Sequence, residues 1–377
     1  MIRYAGLMSG TSMDGVDAVL LEIDGDACRV SSSLHRDYPV ALAERLRAAV
    51  RDPDSVGLDD YGRLDAEVGA LFADTALALL AQARLEPRAL RAIGSHGQTL
   101  LHRPRAVPAC TLQIGDPNLI AERTGIDVVA DFRRRDMAAG GEAAPLVPAF
   151  HAAVFGARGE TRVVANIGGI ANITVLAADG SVTGFDTGPG NCLMDLWTQA
   201  HRGADFDRDG AFAAAGKIDV ELLGRLLAEP YLTRQPPKST GRELFNRDWL
   251  DTALEGLSVP AADVQATLCE FTAITLRDAI ALHAGGLQTS TRPARVLVCG
   301  GGAHNGHLMA RLAAALSGIP VDSTAALGID PQQVEGAAFA WLAHRHLERQ
   351  PGNLPSVTGA AGPRVLGALY PGNVIHL

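Results

Sequence analysis

The sequence lacks several features that commonly announce a function. It has no C-x-x-C pair: the five cysteines, Cys28, Cys110, Cys192, Cys269 and Cys299, are odd in number and far apart. That argues against a zinc site or a disulfide framework and for a reducing compartment. No apolar stretch reaches the roughly 18–20 residues needed to span a bilayer. The first residues run straight into a strand-like segment, with no charged and then apolar leader, so a cytoplasmic location is expected. An excess of positive charge is also missing. With 42 acidic against 33 basic residues the formal charge is −9, which argues against a nucleic-acid surface. An anionic substrate then needs a local cluster of basic side chains, and Arg133, Arg134 and Arg135 form one.

Two nucleotide signatures fail as well. Gly210…Gly216-Lys217 has five residues between the glycines and Ile218 after the lysine, so there is no Walker A loop. Gly300-Gly-Gly-Ala-His-Asn305 carries Asn305 where a dinucleotide fingerprint needs its last glycine.

What is present is an alternation of strand and helix patterns, the mark of α/β architecture. At 377 residues the chain exceeds what one core comfortably serves, and two lobes are expected. Ile2 opens a strand, followed by a Gly-rich turn, a strand over Val16–Ile23, and an Asp24-Gly25 hairpin turn into a third strand. Ala66–Ala83 reads as a helix and Leu90–Gly94 as a short buried strand. About 160 residues later the opening order recurs: strand Arg162–Asn166, small-residue turn Ile167–Asn172, strand Ile173–Leu176, an Asp179-Gly180 turn, and strand Val182–Phe185. Either a lobe is duplicated or these are two ordinary hairpins.

Further helices are expected at Asn191–Arg202, Val264–His283 and His307–Ser317, with a strand at Arg295–Cys299. The last helix is expected to start with Asp330 as N-cap and Pro331 in the first position. Its Val334, Ala337, Ala338, Trp341 and Leu342 make an apolar stripe. The lobe boundary is placed near Gly140–Pro148, giving an N-terminal lobe of 1–140 and a C-terminal lobe of 141–377, with the final helix packing back on the first lobe.

Three glycine-rich turns follow strands and are candidates for ligand contact. In Gly6–Asp17 the glycines let backbone N–H groups approach phosphate oxygens, and Ser9, Thr11 and Ser12 add hydroxyls. Asp14 or Asp17 there suits Mg²⁺ held through water; a plain hairpin turn is the alternative. In Phe185-Asp-Thr-Gly-Pro-Gly-Asn191, Asp186 is a general base or a turn residue. Gly300–Gly302 lets a flat adenine or ribose lie against the backbone. Glu335 sits in the first turn of the last helix, where a helix dipole alone explains it. His96, His102 and His151 lack metal-ligand spacing and serve structure or substrate contact.

Taken together, Gly6-Leu-Met-Ser-Gly-Thr-Ser-Met-Asp-Gly-Val-Asp17, Gly94-Ser-His-Gly-Gln-Thr99, Asp131-Phe-Arg-Arg-Arg-Asp136, Ala144–His151, Asn166-Ile-Gly-Gly-Ile-Ala-Asn172, Phe185–Asn191, Lys238-Ser-Thr-Gly-Arg-Glu243 and Cys299–Asn305 resemble the anhydro-N-acetylmuramic acid kinase family. The blocks stand in family order and cover nearly the whole chain. The resemblance implies the acetate and sugar kinase/actin-like fold, with duplicated mixed-sheet lobes and ATP in the cleft between them. It implies hydrolytic opening of 1,6-anhydro-N-acetylmuramic acid with phosphorylation of its 6-oxygen, in recycling of cell-wall sugar, by a cytoplasmic homodimer.

Carried onto this chain, Asp186 becomes the base that activates water and Glu335 its assistant, both touching the sugar together with Arg134 and His96. ATP falls to Gly10, Thr11, Ser12, Met13, Asp14, Gly15, Val16 and Asp17, to Asn166, Gly168 and Gly169, and to Gly300, Gly301 and Gly302, with Mg²⁺ on Asp14 and Asp17 through water. One departure stands out: the family's Gly-Gly-Gln-Gly-Ala-Pro reads Gly140-Gly-Glu-Ala-Ala-Pro145 here. Glu142 adds charge and Ala143 restricts the backbone, an expected change in hinge geometry or substrate contact. The rival readings are an ordinary amino-sugar kinase acting on a free hydroxyl and a non-enzymatic actin-like ATPase scaffold.

Overall fold

In the computed structural model, residues 1–10, 12–236, 238–286 and 292–372 are described. The chain divides into two compact units. Unit 1 comprises Met1–Val154 and Gln333–Leu377; unit 2 is Phe155–Gln332. The expected boundary at 140/141 therefore lies inside unit 1, and the chain returns to unit 1 for its last segment.

Unit 1 opens with the antiparallel strands β1 (Ile2–Met8), β2 (Gly15–Asp24) and β3 (Ala27–Asp37). β4 (Ala92–Ser95) adds parallel to β1. A separate hairpin, β5 (Gln98–Arg103) and β6 (Cys110–Ile114), precedes β7 (Val128–Ala130), which adds parallel to β4. The C-terminal strand Ala368–Tyr370 closes the edge antiparallel to β7. Unit 2 repeats the plan: β8 (Arg162–Ile167), β9 (Ile170–Leu176) and β10 (Val182–Pro189) are antiparallel, β11 (Arg295–Cys299) lies parallel to β8, and β12 (Val321–Ser323) parallel to β11. The order β3-β2-β1-β4-β7 in one sheet matches β10-β9-β8-β11-β12 in the other. Two ordinary hairpins would not each acquire two parallel strands in the same order, so the recurrence is a duplicated lobe.

Helices cover both sheets with apolar stripes. Leu58–Ala83 buries Leu64, Val68, Phe72, Ala76, Leu79 and Leu80, a spacing of three and four that keeps one face inward. It starts eight residues before the expected Ala66 because its first turns are polar. Asp59 and Asp60 suit the positive end of the helix dipole there but leave no periodic signal. In unit 2 the Ala261–His283 helix is buried almost all round from Val264 to Leu276. Its buried Gln265 amide donates to Thr198, as a polar group without water must.

The last helix runs over Val334–Leu347 and packs on β1, β2 and β4 in unit 1. Small residues let it come close: a Cβ on Gly6 would lie 1.9 Å from the Gly336 carbonyl oxygen, and one on Gly94 2.0 Å from that of Phe339. It begins later than expected. Asp330 caps only a single turn, accepting from Gln332 N–H at 2.9 Å. The Pro331 carbonyl accepts from Gly300 N–H at 3.0 Å, and the Gln333 carbonyl accepts from Ala337 N–H at 2.9 Å at the start of the helix. Among the described residues no helix is long and apolar enough to cross a membrane.

Candidate active site

In unit 1 the β1–β2 connection is the first candidate loop, and a buried polar network sets its path. Ser9 Oγ lies 2.8 Å from the Gly15 carbonyl oxygen and 2.7 Å from Gln98 Oε1, and accepts from the Tyr38 hydroxyl at 3.0 Å. Gln98 Nε2 donates to the Gly10 carbonyl at 3.3 Å, and Tyr38 N–H to that of Asp14 at 2.9 Å. Ser9 is thus turned inward and fully committed, not the outward hydroxyl expected from the sequence. Met13 and Val16 also send their side chains into the core, so these positions face a ligand only through backbone. Gly15 is pressed onto β3, where a Cβ would stand 2.4 Å from the Arg36 carbonyl oxygen. Thr11 lies outside the described residues.

Two acids of this loop remain near the surface. Asp14 accepts from Ser12 Oγ at 2.8 Å, and Asp17 from His35 Nδ1 at 2.7 Å. Burial pushes the Asp17 carboxyl above its usual range while His35 pulls it back. Two hard oxygen donors with room for water fit an ion that keeps most of its hydration and takes few carboxylates. Among the described residues no cluster of three His, Cys, Asp or Glu side chains could hold a metal outright.

Glu335 stands in the first turn of the Val334–Leu347 helix, and the structure brings Arg133 within electrostatic reach of it. Arg133 Nε donates to His96 Nε2 at 3.0 Å and Nη1 to the Ala143 carbonyl at 2.6 Å. Burial lowers the Arg133 pKa to about 10, while the Glu335 and Asp136 charges pull it upward. His96 Nδ1 is 2.8 Å from the Gly97 carbonyl oxygen, which places its proton on Nδ1 and leaves Nε2 as the acceptor. Burial and the adjacent Arg133 hold His96 neutral, well below the ordinary histidine range. Both ring nitrogens are therefore used, and the expected sugar contact by His96 gives way to the orientation of Arg133. Arg134 is not part of this group. Its side chain is 58% exposed and its nearest acid is Asp131, at 3.6 Å.

In unit 2 the carboxyl ends of the parallel strands β8 and β11 come together, a place where α/β sheets collect ligands. Asn166 pairs in register with Cys299. Gly300 follows in a left-handed turn at φ 78°, and a Cβ there would stand 2.4 Å from Asn166 Oδ1. Gly301 and Gly302 continue into a short 3-10 turn. Gly168 and Gly169 make the β8–β9 turn, whose carbonyls accept from Asn191, Gly190 and Cys192 N–H groups at the start of the Cys192–Arg202 helix. Asn166, Gly168, Gly169 and Gly300–Gly302 thus lie together at the carboxyl end of β8 and β11.

Asp186 lies on β10 opposite Asn172, just before a register shift. Its Oδ2 accepts from Thr240 N–H at 3.1 Å. Burial pushes its carboxyl up to about 6; the Thr240 N–H and Lys238 lower it and Glu243 raises it. A half-buried carboxylate with such a pKa is largely ionised at neutral pH yet able to take a proton, which suits a general base. The Lys238–Glu243 loop that tunes it was visible as a motif, but Thr240 is 54 residues from Asp186 and no local spacing ties them. The Ser9–Tyr38–Gln98 network was missed for the same reason.

The comparisons with known proteins agree with these blocks. The anhydro-N-acetylmuramic acid kinase family model matches residues 2–372. The anhydro-N-acetylmuramic acid kinase of Xanthomonas campestris pv. campestris (strain 8004) is 54% identical over 371 residues, 98% of this chain and 97% of its own. That of Pseudomonas paraeruginosa is 54% identical over 376 residues, 98% and 99% of the two chains. Among solved structures, the (R)-2-hydroxyglutaryl-CoA dehydratase component A of Acidaminococcus fermentans covers 90% of this chain and 96% of its own, with TM-score 0.49 and 12% identity. With the match running almost from end to end, this chain belongs to the anhydro-N-acetylmuramic acid kinase family.

Proposed function

We propose that the protein opens 1,6-anhydro-N-acetylmuramic acid with water and phosphorylates the freed 6-oxygen from ATP. The products are N-acetylmuramic acid 6-phosphate and ADP. The observation that carries this reading is Asp186: a carboxylate raised to about 6 by burial, fixed by a backbone N–H, on the edge strand of the sheet that holds the Gly168–Gly169 and Gly300–Gly302 turns. Asp186 takes a proton from water as the water oxygen bonds to the anomeric carbon. The anomeric carbon–O6 bond breaks, and O6 attacks the γ-phosphorus of ATP as the bond to ADP breaks.

In unit 2 the glycine turns receive the nucleotide, with Asn166 at their base and Gly300–Gly302 against the adenosine. The unit 1 loop that carries Gly10 and Gly15 is the second candidate for phosphate contact. Glu335, steadied by Arg133, orients the water or sugar. Asp14 and Asp17 would hold Mg²⁺ through water, and the ion would supply positive charge for phosphate oxygens. Phosphoryl transfer needs little else beyond position and charge. The homodimer, the cytoplasmic location and the setting in cell-wall sugar recycling are carried by the family.

The test is ADP release with 1,6-anhydro-N-acetylmuramic acid against N-acetylmuramic acid. The anhydro sugar should turn over faster, and ¹⁸O from water should enter the anomeric hydroxyl under initial-rate conditions. Equal or better turnover of the open sugar would sink the hydrolytic step in favour of an ordinary amino-sugar kinase.

A further inference from the structure

The Lys238–Glu243 loop reaches the two functional parts of unit 2 at once. At one end, Thr240 N–H holds Asp186 Oδ2 at 3.1 Å, and Asp186 N–H donates to the Lys238 carbonyl. At the other, Leu244 and Phe245 N–H groups both donate to the Gly241 carbonyl at 3.2 Å, and Phe245 is buried in the core. Arg242 is anchored between these points, so its side chain starts from a fixed backbone.

Its guanidinium lies against the β8–β9 turn. From the position a Cβ would take on Gly169, Arg242 Nη2 is 3.2 Å away, Nε 3.5 Å and Cζ 3.8 Å, which sets the guanidinium beside the glycine. Among the described residues Arg242 makes no hydrogen bond or ion pair. The turn offers it little: the Gly168 and Gly169 carbonyls already accept from Asn191, Gly190 and Cys192 N–H groups. The acid nearest in effect is Asp195, whose carboxyl burial pushes up to about 7 while Arg242 lowers it, so it is an incomplete counter-charge at neutral pH. A guanidinium with uncommitted donors, held on a phosphate-sized glycine turn, has the geometry for bidentate contact with phosphoryl oxygens.

We propose that Arg242 binds the terminal phosphoryl group of ATP and stabilises the charge on it during transfer. This rests on the ATP-dependent reading above. The residue donates hydrogen bonds only; it neither gains nor loses a proton, and the bonds made and broken at phosphorus are those already described. The Lys238–Glu243 loop thereby couples the phosphoryl contact to the base, since one short segment carries both Arg242 and the Thr240 N–H on Asp186.

The experiment compares unmodified protein with Arg242→Gln and Arg242→Lys, by ADP release with ATP and the anhydro sugar and by calorimetric binding of ADP. Arg242→Gln should lower kcat on the order of 10²-fold or more, as loss of a charge-stabilising donor does. KM for the sugar, ADP affinity and the melting temperature should stay nearly unchanged. Arg242→Lys should recover only part of the rate, and added guanidinium should partly rescue an Arg242→Ala protein. Wild-type kcat in Arg242→Gln would overturn the proposal, as would a parallel loss of ADP affinity and melting temperature, which marks a structural role. If the unmodified protein itself fails to release ADP with the anhydro sugar, the reading beneath the proposal fails instead.

Discussion

Asp186→Asn should make the protein less active and more stable, with both effects tracking one titration. An unfolded aspartate ionises near 3.8, whereas burial raises Asp186 to about 6. At 1.36 kcal/mol per pH unit, ionising it inside the fold costs about 3 kcal/mol more than ionising it in the unfolded chain. Below pH 3.8 the group is protonated in both states and the cost is absent. As pH rises to 6 and beyond, the folded state bears the full cost. Asparagine keeps an oxygen for the Thr240 N–H and never ionises. Urea unfolding of the two proteins from pH 4 to pH 8 should therefore give matching stabilities at the acid end, with the variant up to about 3 kcal/mol more stable above neutrality. In the same range kcat/KM of the unmodified protein should fall about tenfold per pH unit below 6, and the variant should lose on the order of 10²-fold or more. A stability difference that is flat across this range, or an activity midpoint more than about one pH unit from the pH at which the stability difference levels off, would refute the reasoning.

Much of this was legible in the sequence because it rests on local pattern. The strand–turn–strand openings of both units are written in short apolar runs, and glycines mark the turns that join their strands. Membership of the family came from long blocks. What stayed hidden depends on residues that meet only after folding. Arg133 and Arg134 are neighbours of one type, and only the buried His96 acceptor and the Ala143 carbonyl show which one the fold turns inward. Ser9 looked like a phosphate donor until Gln98 and Tyr38, 89 and 29 residues away, claimed it. The helix begins at Val334, later than the Asp330–Pro331 cap signal indicates, and Pro331 instead meets Gly300 N–H, a contact across 31 residues that no capping rule includes.

The remaining predictions concern the buried polar cage around Arg133. Ala143 is fully buried at φ 57°, where a side chain costs about 1–2 kcal/mol. Glycine would relieve that but lose a buried methyl (about 0.8 kcal/mol) and cost about 0.5–1 kcal/mol in chain entropy. Ala143→Gly should then shift stability by less than about 1 kcal/mol in urea unfolding, whereas Ala143→Val, β-branched in a left-handed position, should cost several times that; equal effects would remove the strain argument. The arginines are separable by charge-conserving change. Arg133 makes two hydrogen bonds at fixed angles, to His96 Nε2 and the Ala143 carbonyl. A lysine ammonium cannot keep both, because its donors radiate from one point. At about 1.5 kcal/mol or more for a charged hydrogen bond, losing one of the two in Arg133→Lys should cost about 1.5 kcal/mol or more of stability. Its kcat/KM should fall by on the order of tenfold or more if Glu335 depends on it. Arg134, exposed and 3.6 Å from Asp131, is a surface pair worth less than about 1 kcal/mol, so Arg134→Ala should change kcat/KM by no more than about twofold. Should ADP-release assays rank them the other way, with Arg134→Ala the more damaging, the inward role belongs to Arg134, and the contacts of Arg133 with His96 and Ala143 serve only to hold the fold.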